Sequence, residues 1–204
     1  FPYTTLFRSI GTAKYGIRDE QGNFSPQRAK ELSQVVKAFE IKLSQGAKPG
    51  KGGLLPATKV GPEIAAIRGI PENQDSISPN RHKDINNIDD LLDKIHFIRE
   101  LTGRPVGIKT AIGGWNFINE LCDSINRRGL DYAPDFLTID GGEGGSGAAP
   151  QTLIDHVSLP IAEALPRVVD ALIQSGLRSR VYVVAAGKLV TSADRKSTRL
   201  NSSH

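Results

Sequence analysis

The sequence predicts an α/β protein, and two observations carry that prediction. Four short apolar segments alternate with segments of helical periodicity, and each apolar segment runs into a glycine-containing loop. Ser25 followed by Pro26 is an N-cap with proline at the first helical position, opening a helix over Pro26–Val36. Ala38–Leu43 reads as the first buried strand. Ile88, Leu91, Leu92, Ile95, Ile98 and Leu101 then recur at helical spacing, with Asn87 placed to cap the start and Gly103 and Pro105 to stop the run. Pro105–Lys109 is the second strand, Trp115–Arg128 the next helix and Phe136–Ile139 the third strand. A last helix over Pro160–Ser175, interrupted by Pro166, leads into the strand Val181–Ala186. Strands joined through helices are parallel. Strand starts lie 31 residues apart (Pro105 to Phe136) and 45 apart (Phe136 to Val181), the size of βα units with insertions. An open doubly wound sheet and a piece of a (β/α)8 barrel both accommodate this order.

Composition narrows the function. The 204 residues are 38% hydrophobic and 24% charged, a soluble, globular balance, and no stretch has the roughly 18 uninterrupted apolar residues of a membrane span. One cysteine, Cys122, excludes a disulfide framework and a multi-cysteine metal or cluster site within the chain. The absence of methionine suggests a segment of something longer. The first nine residues, Phe1–Ser9, and the last eleven, Asp194–His204, read as in-frame translations of short-read sequencing adapters. They are set aside here, leaving residues 10–193 as the natural segment. Arg8 carries one positive charge, and Asp194, Arg195, Lys196 and Arg199 carry a net two, so setting them aside takes the formal charge from +4 to +1. The basic character therefore argues for no nucleic-acid partner.

The chemistry-bearing stretches all follow predicted strand ends, where ligands bind in α/β proteins. Gln45–Gly53 has four glycines in its last eight residues with Lys48 and Lys51 among them, and Arg68 lies on a short helical pattern further on. Backbone amides, lysine and a guanidinium fork suit a small dicarboxylate, although a solvated loop with surface cations reads equally well. The spacing is not that of a Walker A loop. Asp140–Pro150 places five glycines around two carboxylates, and Gly187-Lys188 makes a plausible phosphate cradle. Lys109 ends a buried strand and so points at the mouth or pairs inside. His82 reads as either a substrate contact or a surface residue, His96 as solvated and Cys122 as a core thiol.

Glu40–Pro56, Ser78–His82, Gly107–Lys109, Asp140–Pro150 and Leu177–Val181 together resemble the FMN-binding synthase domain of glutamate synthase, over the whole of residues 10–193. The resemblance implies a partial (β/α)8 TIM barrel, roughly its fourth to seventh βα units. It also implies FMN as cofactor, with a [3Fe-4S] cluster only in a longer parent, whose cysteines would follow Ala193. The implied reaction is cytoplasmic reductive amination of 2-oxoglutarate with ammonia to L-glutamate, from an unspecified electron donor. Carried over by position, Gln45, Lys48 and Arg68 match substrate-binding residues. Lys109, Gly144, Gly145, Gly187 and Lys188 match the flavin side, and Lys48, Lys109 and Glu143 form the implied catalytic set. Lys48, Arg68, Lys109, Glu143 and Gly187 are then expected around one concave mouth. Leu54 stands where the long, glutaminase-fused enzymes carry a glutamine, and Gly142-Glu143 replaces their His-Asp. Both point toward the short stand-alone members. The alternatives are another FMN barrel, such as a 2-hydroxy-acid oxidase, and a flavin-binding protein without turnover. The former needs a histidine at a strand end, which no predicted strand here has. As translated, the open barrel is expected to be inactive, because it exposes strand edges.

Overall fold

A computed structural model describes residues 7–144, 149–154 and 156–189. Five strands, β1 (Phe7–Ile10), β2 (Ala38–Lys42), β5 (Val106–Thr110), β6 (Phe136–Asp140) and β7 (Tyr182–Ala186), form one parallel sheet in the order β1-β2-β5-β6-β7. A small antiparallel ladder, β3 (Leu54–Leu55) with β4 (Ser76–Ile77), is the remaining sheet among the described residues. Each main strand lies beside its predecessor, without the reversal of order that marks a doubly wound sheet. The arrangement is compatible with part of a (β/α)8 barrel.

Four helices, α1 (Pro26–Ser33), α3 (Ile88–Thr102), α4 (Asn116–Arg128) and α5 (Ile161–Gln174), pack in sequence on one another, with α3 against β5 and α5 against β6 and β7. The predicted caps account for their ends. Ser25 Oγ accepts from Arg28 N, Asn87 Oδ1 accepts from Asp90 N at 2.8 Å, and Gly103 closes α3 in the left-handed conformation at φ +62°. Pro166 does not break α5. Ile161, Ala164, Leu165, Val168, Val169 and Leu172 form a continuous buried stripe, and that packing carries the helix through one lost backbone bond.

The inner strands alternate, with Thr110 and Phe136 as exceptions at their ends. Phe39, Ile41, Val106, Ile108, Leu137 and Ile139 point to the helices and meet Leu92, Ile95, Ile98, Leu121 and Ile125 in one core. Each such side chain contributes about 1.5–3 kcal/mol by leaving water. At the amino ends of the strands, Asp135 gathers Arg99 (3.0 Å), Arg180 (3.1 Å) and the amide of Val106 (2.7 Å), stapling α3, β5 and the approach to β7. The opposite, carboxyl ends are the ones that open into cavities.

Two elements lie outside the sequence-based reading. β1 uses Phe7–Ser9, residues set aside above as adapter-derived, paired in register with Ala38–Glu40 and anchored by buried Ile10. The β3–β4 ladder closes a 54–77 excursion that carries the short helix α2 (Pro62–Arg68). A two-residue ladder is too short to show a period in the sequence.

Candidate active site

Alternation along the strands puts the polar residues on the face away from the helices. Lys42 of β2 is in register with Lys109 of β5, which is in register with Thr138 of β6, so two lysines stand side by side near the carboxyl edge. One layer deeper, buried Glu40 accepts a hydrogen bond from Thr138 Oγ1 at 2.8 Å and one from Ser9 Oγ at 3.4 Å. Asp140 ends β6. Its Oδ1 lies 3.5 Å from Lys109 Nζ, and its Oδ2 accepts from the amide of Gly46 at 2.9 Å.

That last bond seats the Gln45–Lys48 loop on the end of β6, and the approach is close enough to require glycine. A Cβ at Gly46 would lie 1.8 Å from the carbonyl oxygen of Gly141. Lys48 follows, 5% exposed, and its charge reaches Lys42. The Lys42 ammonium is held below its ordinary value first by burial, then by Lys109 and Lys48, while Asp140 and Glu40 pull the other way. Three ammonium groups thus share two carboxylates, which leaves the mouth with an excess of positive charge suited to an anion.

Gln45, Ala47, Lys109, Asp140, Gly144, Ala186 and Gly187 line a cavity of about 230 Å³. Gly187, at φ +144°, sits against the backbone of Gly141. Gln45 also borders a neighbouring cavity of about 120 Å³ together with Lys42, Lys51, Tyr15 and Asn80. Lys188 is exposed beside Gly187. Gly145 lies outside the described residues.

Of the five residues expected around one mouth, Lys109 and Gly187 share the cavity, and Lys48 lies beside it next to Ala47. Two do not join them. Both oxygens of Glu143 accept from the amide of Ile161, at 2.9 and 3.0 Å. Pro160 at the start of α5 has no side-chain acceptor, so Glu143 caps that helix from the preceding loop. Arg68 lies at the end of α2, where Nη1 donates to Ser76 Oγ at 2.8 Å and the guanidinium covers the ring of Tyr15 at 4.8 Å. It lines a groove of about 1040 Å³ and not the cavity that holds Lys109 and Gly187. Tyr15, Ser78 and Asn80 border both spaces. Leu54 is 41% exposed on β3.

Lys42 and Asp140 had no assigned role in the sequence, although Lys42 carries the signal that singled out Lys109: a lysine closing a buried strand. His82 is neither a surface residue nor a mouth residue. It is 4% exposed, behind the end of β2. His96 stacks on Tyr132 at 4.6 Å, and Cys122 is buried.

A family model described as the conserved region in glutamate synthase matches residues 4–198. The chain belongs to the glutamate synthase family. It is 42% identical over 184 residues to the glutamate synthase large subunit-like protein YerD of Bacillus subtilis, covering 89% of this chain and 34% of that protein. It is also 42% identical to the archaeal glutamate synthase (NADPH) of Methanocaldococcus jannaschii, covering 95% of this chain and 35% of the relative. The glutamate synthase (NADPH) large chain of Bacillus subtilis is 36% identical over 76% of this chain but only 10% of its own length. The chain thus spans about a third of the first two of these relatives. Among the described residues no helix is long and apolar enough to cross a membrane.

Proposed function

We propose that the lysine-lined mouth is the flavin- and substrate-binding segment of a glutamate synthase-like oxidoreductase, which converts 2-oxoglutarate and ammonia to L-glutamate. The observation that carries this reading is the cavity at the carboxyl ends of parallel strands, with Lys109, Gly144 and Gly187 in its wall and the charges of Lys42 and Lys48 acting beside it. The residues present suit FMN. Gly144 and Gly187 leave backbone, not side chains, at the cavity wall, and the excess positive charge suits both a phosphate and an anionic reduced ring. Lys109, Gly144, Gly145, Gly187 and Lys188 are assigned to that group, which when bound supplies the hydride.

Gln45 and Lys48 are assigned to the substrate, with the buried Lys48 ammonium holding a carboxylate in a partly desolvated site. Arg68 is assigned to the second carboxylate. It meets that role by leaving the Tyr15 ring and Ser76, its contacts in this structure. Lys109 beside Asp140 is poised to donate to developing negative charge. Glu143 is given a positioning role, supported by its two bonds to Ile161 N, which fix α5 and the Gly141–Gly144 turn. With one cysteine, an iron–sulfur cluster would draw its ligands from outside this chain.

The test compares Arg68→Ala and Lys109→Ala in a polypeptide of the relatives' full length that carries this segment. FMN is followed by absorbance and 2-oxoglutarate by calorimetry. Arg68→Ala is expected to weaken 2-oxoglutarate roughly ten- to hundredfold with flavin content intact, the value of a charge-assisted bond. Lys109→Ala is expected to lower flavin retention. Loss of flavin in Arg68→Ala with unchanged substrate affinity refutes the division of the site. Flavin binding without any 2-oxoglutarate binding in the parent favours a different substrate, with Leu54 as the first residue to examine.

A further inference from the structure

We infer that Arg18 and His82 form a buried positioning relay that holds the main chain of Lys42, and so the lysine itself, at the mouth. Backbone direction explains why a relay is needed. Phe39 N and Leu43 N donate to Pro105 O and Lys109 O, so the odd-numbered residues of β2 bond toward β5 and the amide and carbonyl of Lys42 face β1. β1 ends at Ile10, paired with Ile41, and supplies no partner for the Lys42 carbonyl. His82 supplies it, with Nε2 at 2.9 Å from Lys42 O.

Arg18 decides the protonation of that ring. Its Nε donates to Gly11 O at 2.9 Å and its Nη1 to Gly22 O at 2.9 Å, while Nη2 lies 2.6 Å from His82 Nδ1. A guanidinium only donates, so Nδ1 must accept, and the ring proton must sit on Nε2, aimed at Lys42 O. Gly11 and Lys42, the chain just past β1 and the end of β2, are thereby tied to one guanidinium–imidazole pair. Both side chains are buried, at 2% and 4% exposure. The charged neighbours are Asp84, 3.6 Å from Arg18 Nη2, and Lys94 of α3, paired with Asp84 at 2.6 Å. Burial, followed by the charges of Arg18 and Lys94, keeps His82 below the usual histidine range against the opposing pull of the Lys42 carbonyl and Asp84. Protonating the ring would set two donors against each other at Nδ1. His82 is therefore a positioning residue and touches neither cavity.

The inference rests on the mouth reading only for its functional consequence, and the experiment separates the two. In the chain as it stands, long-range ¹H–¹⁵N spectra of the imidazole at pH 7.5 are expected to show the Nε2–H tautomer. The Nδ1–H form or an imidazolium would overturn the relay. Amide exchange at Leu43 and Ser44 is expected to quicken about tenfold in His82→Ala. His82→Gln, whose side-chain NH2 can occupy the Nε2 position, should restore protection. His82→Asn, too short to reach Lys42 O, should not. Equal protection in the parent and His82→Ala, or equal loss in all three variants, overturns the inference. In the full-length protein, FMN affinity should follow the same ranking. If the parent binds no FMN, the mouth reading fails while the tautomer and exchange results still decide the relay.

Discussion

Gly46→Ala tests the way the Gln45–Lys48 loop is seated. The new Cβ would lie 1.8 Å from Gly141 O, 2.5 Å from Gly141 C and 2.8 Å from Asp140 O, all backbone atoms that cannot turn aside. A normal carbon–oxygen approach is about 3.3 Å, so the loop must retreat by about 1.5 Å. That retreat takes the Gly46 amide, now 2.9 Å from Asp140 Oδ2, out of hydrogen-bond range. Overpacking costs about 1–3 kcal/mol and a hydrogen bond to a charged group about 1.5–3 kcal/mol. A combined loss of about 2.5–6 kcal/mol is expected, with Lys48 carried away from Lys42 and Lys109. Urea unfolding followed by the fluorescence of Trp115, which lies beneath Arg167, reads the loss. Gly114→Ala is the control, since a Cβ there meets open space, and it is expected to change stability by less than about 0.5 kcal/mol. A Gly46→Ala midpoint indistinguishable from the control would refute the seating argument.

Two further outcomes follow from other parts of the site. Glu143→Ala removes the acceptor at Ile161 N and is expected to cost about 0.5–2 kcal/mol in the same unfolding assay, whereas Glu143→Gln keeps an acceptor and most of the stability. No difference between the two would remove the capping role. His82 titrates lower in the folded chain than in the unfolded one, so the unfolded chain binds more protons as pH falls below about 6.5. Its contribution is complete above that value and is lost as pH falls toward the folded-state value. A stability profile from pH 8 to pH 5 should therefore decline on the acid side, and His82→Gln should flatten that decline.

The helices and long strands were legible because their signals are local. Ser25, Asn87 and Gly103 act within one turn, and the apolar spacing of α3 and the run of β6 need no distant partner. Lys109 was legible for the same reason, as a lysine closing an apolar strand. The motif resemblance likewise pointed to the glutamate synthase family that the comparison confirms. β3 and β4 were not legible, since each has two residues and exists only through the other.

What the chain alone determined was thus the main helices, the four long strands β2, β5, β6 and β7, their order and the strand ends at which the charged loops gather, all consequences of short-range geometry. Only the tertiary structure decided which of those charges meet. Register, a relation between residues about 67 positions apart, put Lys42 beside Lys109. The path of the 54–77 excursion set Arg68 on the Tyr15 ring, and the missing acceptor at the start of α5 drew Glu143 away from the cavity. The early end of β1 left the Lys42 carbonyl for a histidine forty residues downstream. The last two, at Ile161 N and Lys42 O, depend on a backbone group left without a neighbour by the fold, and a one-dimensional pattern does not record which groups those are.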